Sequence, residues 1–321
     1  MIRRSSAFAA DAVMCGLINI LQSRHRLDAG SREAMVRYFE EQEPLTLDEY
    51  YCAPNGYQPP AFNGSQNIIS WPSPLQTGFP ANDTVRADLF PCAAGWSRPT
   101  VLMLHALMSA SSIGYRRWAQ HFNSLGWNAC FVHLPYHYSR VPPGYFNGEL
   151  AITANLVRNA EGLRQSVVEL RQLMQSLRNQ GCAEFGILGT SYGAWVGALT
   201  ACLERDLRFV ALMAPIVNVE HAIWQSPAAM YMRRELRRVK IDQPLVSRYI
   251  RLASPGHHQP VVSTDRILFV AGEFDHVARV EHIEEIHHRW RGSELLKIPQ
   301  GHFGYRMMRE TVRRLQEKGV L

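Results

Sequence analysis

The stretch Gly189-Thr190-Ser191-Tyr192-Gly193 constrains this chain more than any other. The apolar run before it, Phe185-Gly186-Ile187-Leu188, reads as a strand. The segment after it, Ala194-Trp195-Val196-Gly197-Ala198-Leu199, reads as a helix. Strand, sharp serine-bearing turn and helix are the setting in which Gly-x-Ser-x-Gly forms a nucleophile elbow. The glycines are needed because side chains flanking so tight a turn would strike the neighbouring strand or helix. Such an elbow exposes Ser191 Oγ and aims a helix N-terminus at the same point, where developing negative charge is favoured.

A serine of this kind needs a base to take its proton and an acid to orient that base. With this motif the acid and then the histidine are expected downstream, each after a strand. Residues 266–272 read as a buried strand running into Glu273-Phe274-Asp275-His276, which places Asp275 in the following turn. Residues 294–298 read as a further strand, followed by Pro299-Gln300-Gly301-His302-Phe303, and His302 is the predicted general base. Thirteen histidines make one near the C-terminus ordinary, and a surface-loop histidine is the alternative reading. Its place behind a glycine, at a strand end downstream of an acid, sets His302 apart. Glu273 and the segment Asn218 to Glu220 compete with Asp275 for the acid's role. One oxyanion donor is expected at the N–H of Tyr192, directly after the serine.

Residues 100–104 read as another buried strand, leading to His105-Ala106-Leu107-Met108-Ser109. These four pieces, in this order and each at a strand end, resemble the α/β-hydrolase fold superfamily over roughly residues 84–318. Within the resemblance, His105-Ala106-Leu107 looks like the family's His-Gly-x loop with Ala106 in place of glycine. It implies Leu107 N–H as the second oxyanion donor and puts His105 and Ala106 beside the substrate. If that position needs φ > 0, alanine is strained there. His133-Leu134-Pro135-Tyr136-His137, with Arg140 and Pro143-Gly144, looks like a segment of poorly characterised hydrolases of this fold. His133 and His137 are expected near the site mouth, touching substrate or packing; His137 is carried forward as a substrate contact.

From Val85 onward strands alternate with helices, near 84–91, 100–105, 128–134, 184–190, 208–214, 266–271 and 294–298 for strands. Helices fall near 113–125, 151–179, 193–204, 278–291 and 305–318. The expected fold is α/β: a mostly parallel central sheet with helices on both faces, a helical cap insertion and an N-terminal extension. Residues 1–83 form the extension, with helices near 7–22 and 31–42 and irregular chain from Pro54 to Pro80. The core is 84–218 and 263–321. The fifty residues between its sixth and seventh strands exceed a simple crossover, so 219–262 is the expected cap. Its Trp224, Met230, Tyr231 and Met232 suit an acyl or aromatic group, with Trp224 as a substrate contact, or else pack the cap on the core.

At 321 residues, 46% hydrophobic and 19% charged, the composition is that of an ordinary globular chain. No unbroken apolar run reaches a membrane span. Six cysteines without C-x-x-C pairing read as free thiols of a reducing compartment, and the start, Met1-Ile2-Arg3-Arg4, does not read as a signal peptide. The expected location is cytoplasmic. Nearly all of the net charge of +6 lies in 221–260, which carries seven basic and two acidic residues. No nucleic-acid motif accompanies it. The arginines at 233–238 read as a solvated helix face before an anion site. His282, His287 and His288 lack the spacing of helical metal ligands, His257-His258 reads as a surface loop, and no phosphate-binding glycine loop follows a strand.

The expected protein is therefore a serine hydrolase without cofactor or metal, cleaving a carboxylic ester of a small acyl substrate. Peptidase or thioesterase chemistry on the same machinery is the alternative. A non-catalytic ligand- or partner-binding member of the fold is the alternative of another class. Natural substrate and oligomeric state are left open.

Overall fold

Runs such as Thr-Val-Leu-Met-Leu and Ile-Leu-Phe-Val-Ala-Gly are apolar at successive positions because the strands they form are covered on both faces. The computed structural model describes residues 4–24, 30–54, 57–62 and 64–321. Among these, eight strands make one sheet: β1 (Ile68–Pro72), β2 (Thr84–Phe90), β3 (Thr100–Leu104), β4 (Asn128–His133), β5 (Phe185–Thr190), β6 (Leu207–Met213), β7 (Ile267–Gly272) and β8 (Glu294–Ile298). Their order is β1-β2-β4-β3-β5-β6-β7-β8. β2 runs antiparallel to both neighbours, and every other pair is parallel. β3, β4 and β7 are buried at every residue, as parallel strands under two helical layers must be.

The helices are α1 (Arg4–Gln22), α2 (Arg32–Gln42), α3 (Leu47–Tyr50), α4 (Ile113–Ser124), α5 (Leu156–Asn179), α6 (Tyr192–Ala201), α7 (Val219–Trp224), α8 (Met230–Arg238), α9 (Gln243–Tyr249), α10 (Val280–Arg289) and α11 (Met307–Glu317). α6 is buried along its whole length, so it is apolar all round and not amphipathic. α5 starts five residues later than its periodicity predicts. Asn155 caps it, its side chain accepting from Arg158 N–H at 3.0 Å. α7, α8 and α9 form the helical insertion between β6 and β7.

The sheet begins earlier than the sequence pattern predicts. β1 lies inside the stretch expected to be irregular and pairs with β2 from Ile68↔Asp88 to Pro72↔Thr84. Its burial alternates, out at Ile68, Ser70 and Pro72 and in at Ile69 and Trp71. That pattern belongs to an edge strand, where Pro72 is tolerated because one side needs no donor. The Trp71 indole N–H donates to Gln172 Oε1 on α5 at 3.1 Å, tying the edge to the helical layer.

Residues 1–3 of the basic start lie outside the described residues. α1 itself packs along α8 and the turn at 227–229. Asn19 fixes it there: its Nδ2 donates to Pro227 O and its Oδ1 accepts from Tyr231 N–H, both at 2.8 Å. By length and composition α1 is also apolar enough to cross a membrane, a property that a count of unbroken apolar residues misses because Asp11 interrupts the run. All six cysteines are free thiols, five buried and Cys52 exposed.

Beneath the loop after β4, Arg140 is fully buried and grips Glu169 of α5 through two bonds, Nη1 to Oε2 at 2.6 Å and Nη2 to Oε1 at 2.9 Å. It also donates to the carbonyls of Asn82 and His133. Replacing Arg140 with Met strands a buried carboxylate, so a loss of about 3–5 kcal/mol is expected in denaturant unfolding. The double variant Arg140→Met/Glu169→Leu should regain much of it. A single-variant loss below about 1 kcal/mol would mean the pair is not coupled as its geometry requires.

Candidate active site

The carboxyl ends of β3, β5, β7 and β8 lie along one edge of the sheet, because the parallel registers align Leu104 with Gly189, Thr190 with Met213, Met213 with Val270 and Gly272 with Ile298. Ser191, Asp275, His302 and Leu107 all lie just beyond that edge. Ligands of open α/β sheets bind at this edge.

Ser191 joins β5 to α6 with φ 50° and ψ −109°, a backbone conformation that a non-glycine residue rarely adopts. Its flanking glycines are sterically required. A Cβ at Gly189 would lie 2.6 Å from Gly193 O and 2.7 Å from Ala194 Cα. One at Gly193 would lie 2.3 Å from Leu104 O. Ser191 Oγ is 2.9 Å from His302 Nε2, and His302 Nδ1 is 2.7 Å from Asp275 Oδ2. Asp275 Oδ1 accepts from the N–H groups of Val277 and Ala278, both at 2.7 Å, which fixes the carboxylate in its turn. The rival acids are elsewhere: Glu273 is exposed, Asn218 caps α7, and Glu220 accepts from Gln243.

A second carboxylate reaches the histidine loop from α1. Asp11 is buried, and its oxygens accept from His302 N–H at 2.9 Å and Phe303 N–H at 3.2 Å. Gly301 makes room for it, since a Cβ there would lie 2.6 Å from Asp11 Oδ1. The sequence pattern registers Asp11 only as a charge interrupting an apolar run. Burial pushes the His302 imidazole down, but Asp275, by charge and hydrogen bond, and the Asp11 charge outweigh it and hold the group above its ordinary value.

The loop after β3 is held by two buried histidines that the sequence places against substrate. His105 Nδ1 lies 2.9 Å from Ala106 O, and its Nε2 accepts from Leu134 N–H at 3.1 Å. His137 Nδ1 lies 2.8 Å from Pro135 O, and its Nε2 accepts from Met108 N–H at 3.1 Å. With one nitrogen accepting, each ring is neutral. Burial lowers both, His105 well below its usual value and His137 to about 4. Neither is exposed and neither lines the cavity at Ser191; both rings brace the loop through the N–H groups they accept. His133 is likewise engaged, with Nδ1 2.8 Å from Ser139 Oγ. Ala106 does line the cavity and escapes strain, because the positive φ of this loop falls on Met108.

Met108 N–H is taken by His137. Leu107 N–H has no acceptor among the described residues, and Tyr192 N–H, at the first position of α6, has none within its helix. Trp224 packs on the core, and its helix neighbours Ala222 and Ile223 line the cavity in its place. None of the basic residues of 221–260 lines it. Arg233 donates to Ile223 O and Ser226 O, and Arg251 to Glu43 O and Leu45 O. No group of three or more possible metal ligands occurs among the described residues.

No family model matches the chain. It is 27% identical over 218 residues to an uncharacterized protein of Mycobacterium tuberculosis, Rv2627c, over 64% of this chain and 50% of that protein. The chain thus spans about half the length of the curated relatives it matches. Among solved structures it is similar to acetyl xylan esterase 1 from Thermoanaerobacterium sp. JW/SL YS485, with a TM-score of 0.59 and 14% identity, over 93% of this chain and 97% of that one. The chain has the α/β-hydrolase fold. The same α/β-hydrolase architecture relates it to a puromycin-hydrolyzing peptidase of Mycobacterium tuberculosis, with a TM-score of 0.54 and 16% identity, over 78% of this chain and 38% of that one.

Removing the Asp11 carboxylate leaves the amides of His302 and Phe303 without their acceptor, at a cost on the order of 1–3 kcal/mol. Asp11→Ala should lower the unfolding midpoint and speed hydrogen exchange at those two amides. Unchanged exchange there would mean that α1 does not hold the loop.

Proposed function

We propose that the protein is a serine hydrolase that cleaves a carboxylic ester through an acyl-enzyme. The observation that carries this reading is the continuous chain from Ser191 Oγ through His302 to Asp275, at 2.9 and 2.7 Å, opening on an apolar cavity. Ser191 Oγ attacks the ester carbonyl carbon, and its proton passes to His302 Nε2. Asp275 holds the Nδ1–H tautomer and stabilises the imidazolium. The N–H groups of Tyr192 and Leu107 receive the oxyanion at the positive end of α6. His302 then protonates the departing alkoxide oxygen as the carbonyl C–O bond breaks. Water attacks the acyl-enzyme with His302 as its base, the acid is released, and Ser191 regains its proton. The helical insertion, lining the cavity with α7, α8 and α9, acts as the cap.

The esterase reading is favoured over a peptidase because, among the described residues, the cavity wall carries no Asp, Glu, Lys or Arg to take a peptide terminus. The backbone strain at Ser191, of order 1–3 kcal/mol, supports the serine-hydrolase reading whatever the acyl bond, since the serine is held where its oxygen meets both base and cavity.

Wild-type protein is expected to react with a fluorophosphonate probe and to hydrolyse p-nitrophenyl esters, and Ser191→Ala to lose both. Probe-silent wild-type protein would overturn the reading. His302 must be neutral to accept the proton, and its pKa is raised above the ordinary 6.5. kcat/KM should therefore rise with pH through a value above 6.5 and fall away below it. Asp11→Asn removes a charge that favours the imidazolium, so its acid limb should move to lower pH. A limb that stays in place or moves up would contradict that role for Asp11.

A further inference from the structure

Protein interiors hold few voids larger than a water molecule. The cavity at Ser191 has a volume of about 1080 Å³, at the upper end of the range for sites that enclose drug-sized ligands. Its walls come from α1, α2, α5, the start of α6, the loops of the catalytic edge and the helical insertion. Val13 and Leu17 of α1, Met35 of α2, Ile223 of α7, Met232 of α8 and Leu245 of α9 are among the apolar residues on them. Among the described residues, the polar groups that reach the cavity are uncharged, apart from the titratable His302.

We propose that this cavity takes a long, uncharged aliphatic acyl chain, of roughly a dozen carbons or more; the proposal rests on the serine-hydrolase reading for its chemistry. Three observations exclude the other occupants. A peptide would lay unpaired backbone N–H and C=O groups along apolar walls, at a heavy desolvation cost. An anionic group would find no cation among the described residues of the wall, because the arginines of the insertion are turned to the protein's own carbonyls and carboxylates or lie off the wall. An acetyl group would leave nearly all of the apolar surface uncovered. A flexible chain fits the wall's composition, in which unbranched methionines 14, 35, 108 and 232 can adjust to it.

The substrate ester carbon sits at Ser191, and the alkyl chain extends away from the sheet edge, between α1 and the insertion. Each methylene brought into contact with these walls should raise kcat/KM roughly fourfold until the cavity is filled. Ala222, on α7, and Ala228, in the turn before α8, mark places where a larger side chain would shorten the available space.

The experiment has two arms. In the first, kcat/KM is measured for p-nitrophenyl esters from acetate to palmitate below their solubility limits, for wild type, Ala222→Phe and Ala228→Phe. A rise of at least a hundredfold from acetate to laurate supports the proposal, as does an optimum displaced to shorter chains in either alanine variant. Fastest turnover of acetate with a steady fall along the series overturns it and leaves the serine-hydrolase reading standing. In the second arm, Ser191→Ala is titrated with methyl dodecanoate and with methyl acetate, following the fluorescence of Trp195, which lines the cavity, against a Trp195→Phe control. A saturable change with the dodecanoate alone supports the acyl site, even if wild type proves inert to probe and esters, which would overturn the hydrolase reading separately. No change with either ester overturns the acyl site.

Discussion

Everything at this site depends on one strained peptide unit. Ser191 is held at φ 50° and ψ −109° because β5 ends and α6 begins within a single residue. That junction exists only while Gly189 and Gly193 carry no side chain, since a Cβ on either would lie within 3 Å of backbone atoms that cannot retreat. Relaxing the serine would rotate Oγ away from His302 and move the first N–H groups of α6 off the point they share. The packing that prevents this is extensive: α6 is buried at every residue, against β3, β5 and β6. The local strain is thus opposed by a whole layer of the core, which is how such conformations persist.

Around that fixed point the site is assembled from hydrogen bonds that convert flexible loops into defined shapes. The neutral rings of His105 and His137 fasten the loop after β3, and the doubly anchored Asp275 carboxylate fixes the turn after β7. Asp11 fastens the loop after β8 from outside the sheet. α1 is therefore both a wall of the cavity and a brace of the base. Its apolar face and its single buried carboxylate point to the same place, so a change that moves the helix alters both at once.

Much of this was legible in the sequence. The serine, acid and histidine could be placed because each follows a short buried strand, and strand ends are marked by local apolar runs and turn residues. The seven core strands were readable for the same reason. What escaped was set by contacts between distant parts of the chain. β1 is a short edge strand ending in Pro72 amid turn-forming residues, and only pairing with β2 makes it a strand. The histidines at 105 and 137 were recognisable as belonging near the site, but their roles depend on which backbone N–H each ring meets. Trp224 was expected on the cavity wall and Ile223 occupies it. Adjacent helical residues point about 100° apart, and a six-residue helix gives too few turns to fix its face. Asp11 had no local signal at all, since its partners lie 291 and 292 positions away.

That last separation has a consequence for how the molecule comes into being. Asn19 meets residues 208 and 212 positions downstream, and Asp11 meets partners still later. During synthesis α1 leaves the ribosome long before anything it packs against exists, as an apolar helix with no surface to cover it. Contacts of such long range are slow to close, because they carry the loop entropy of most of the chain. The histidine loop is consequently finished only when the two ends of this sequence meet, and the growing chain carries the elbow serine well before it has a braced base.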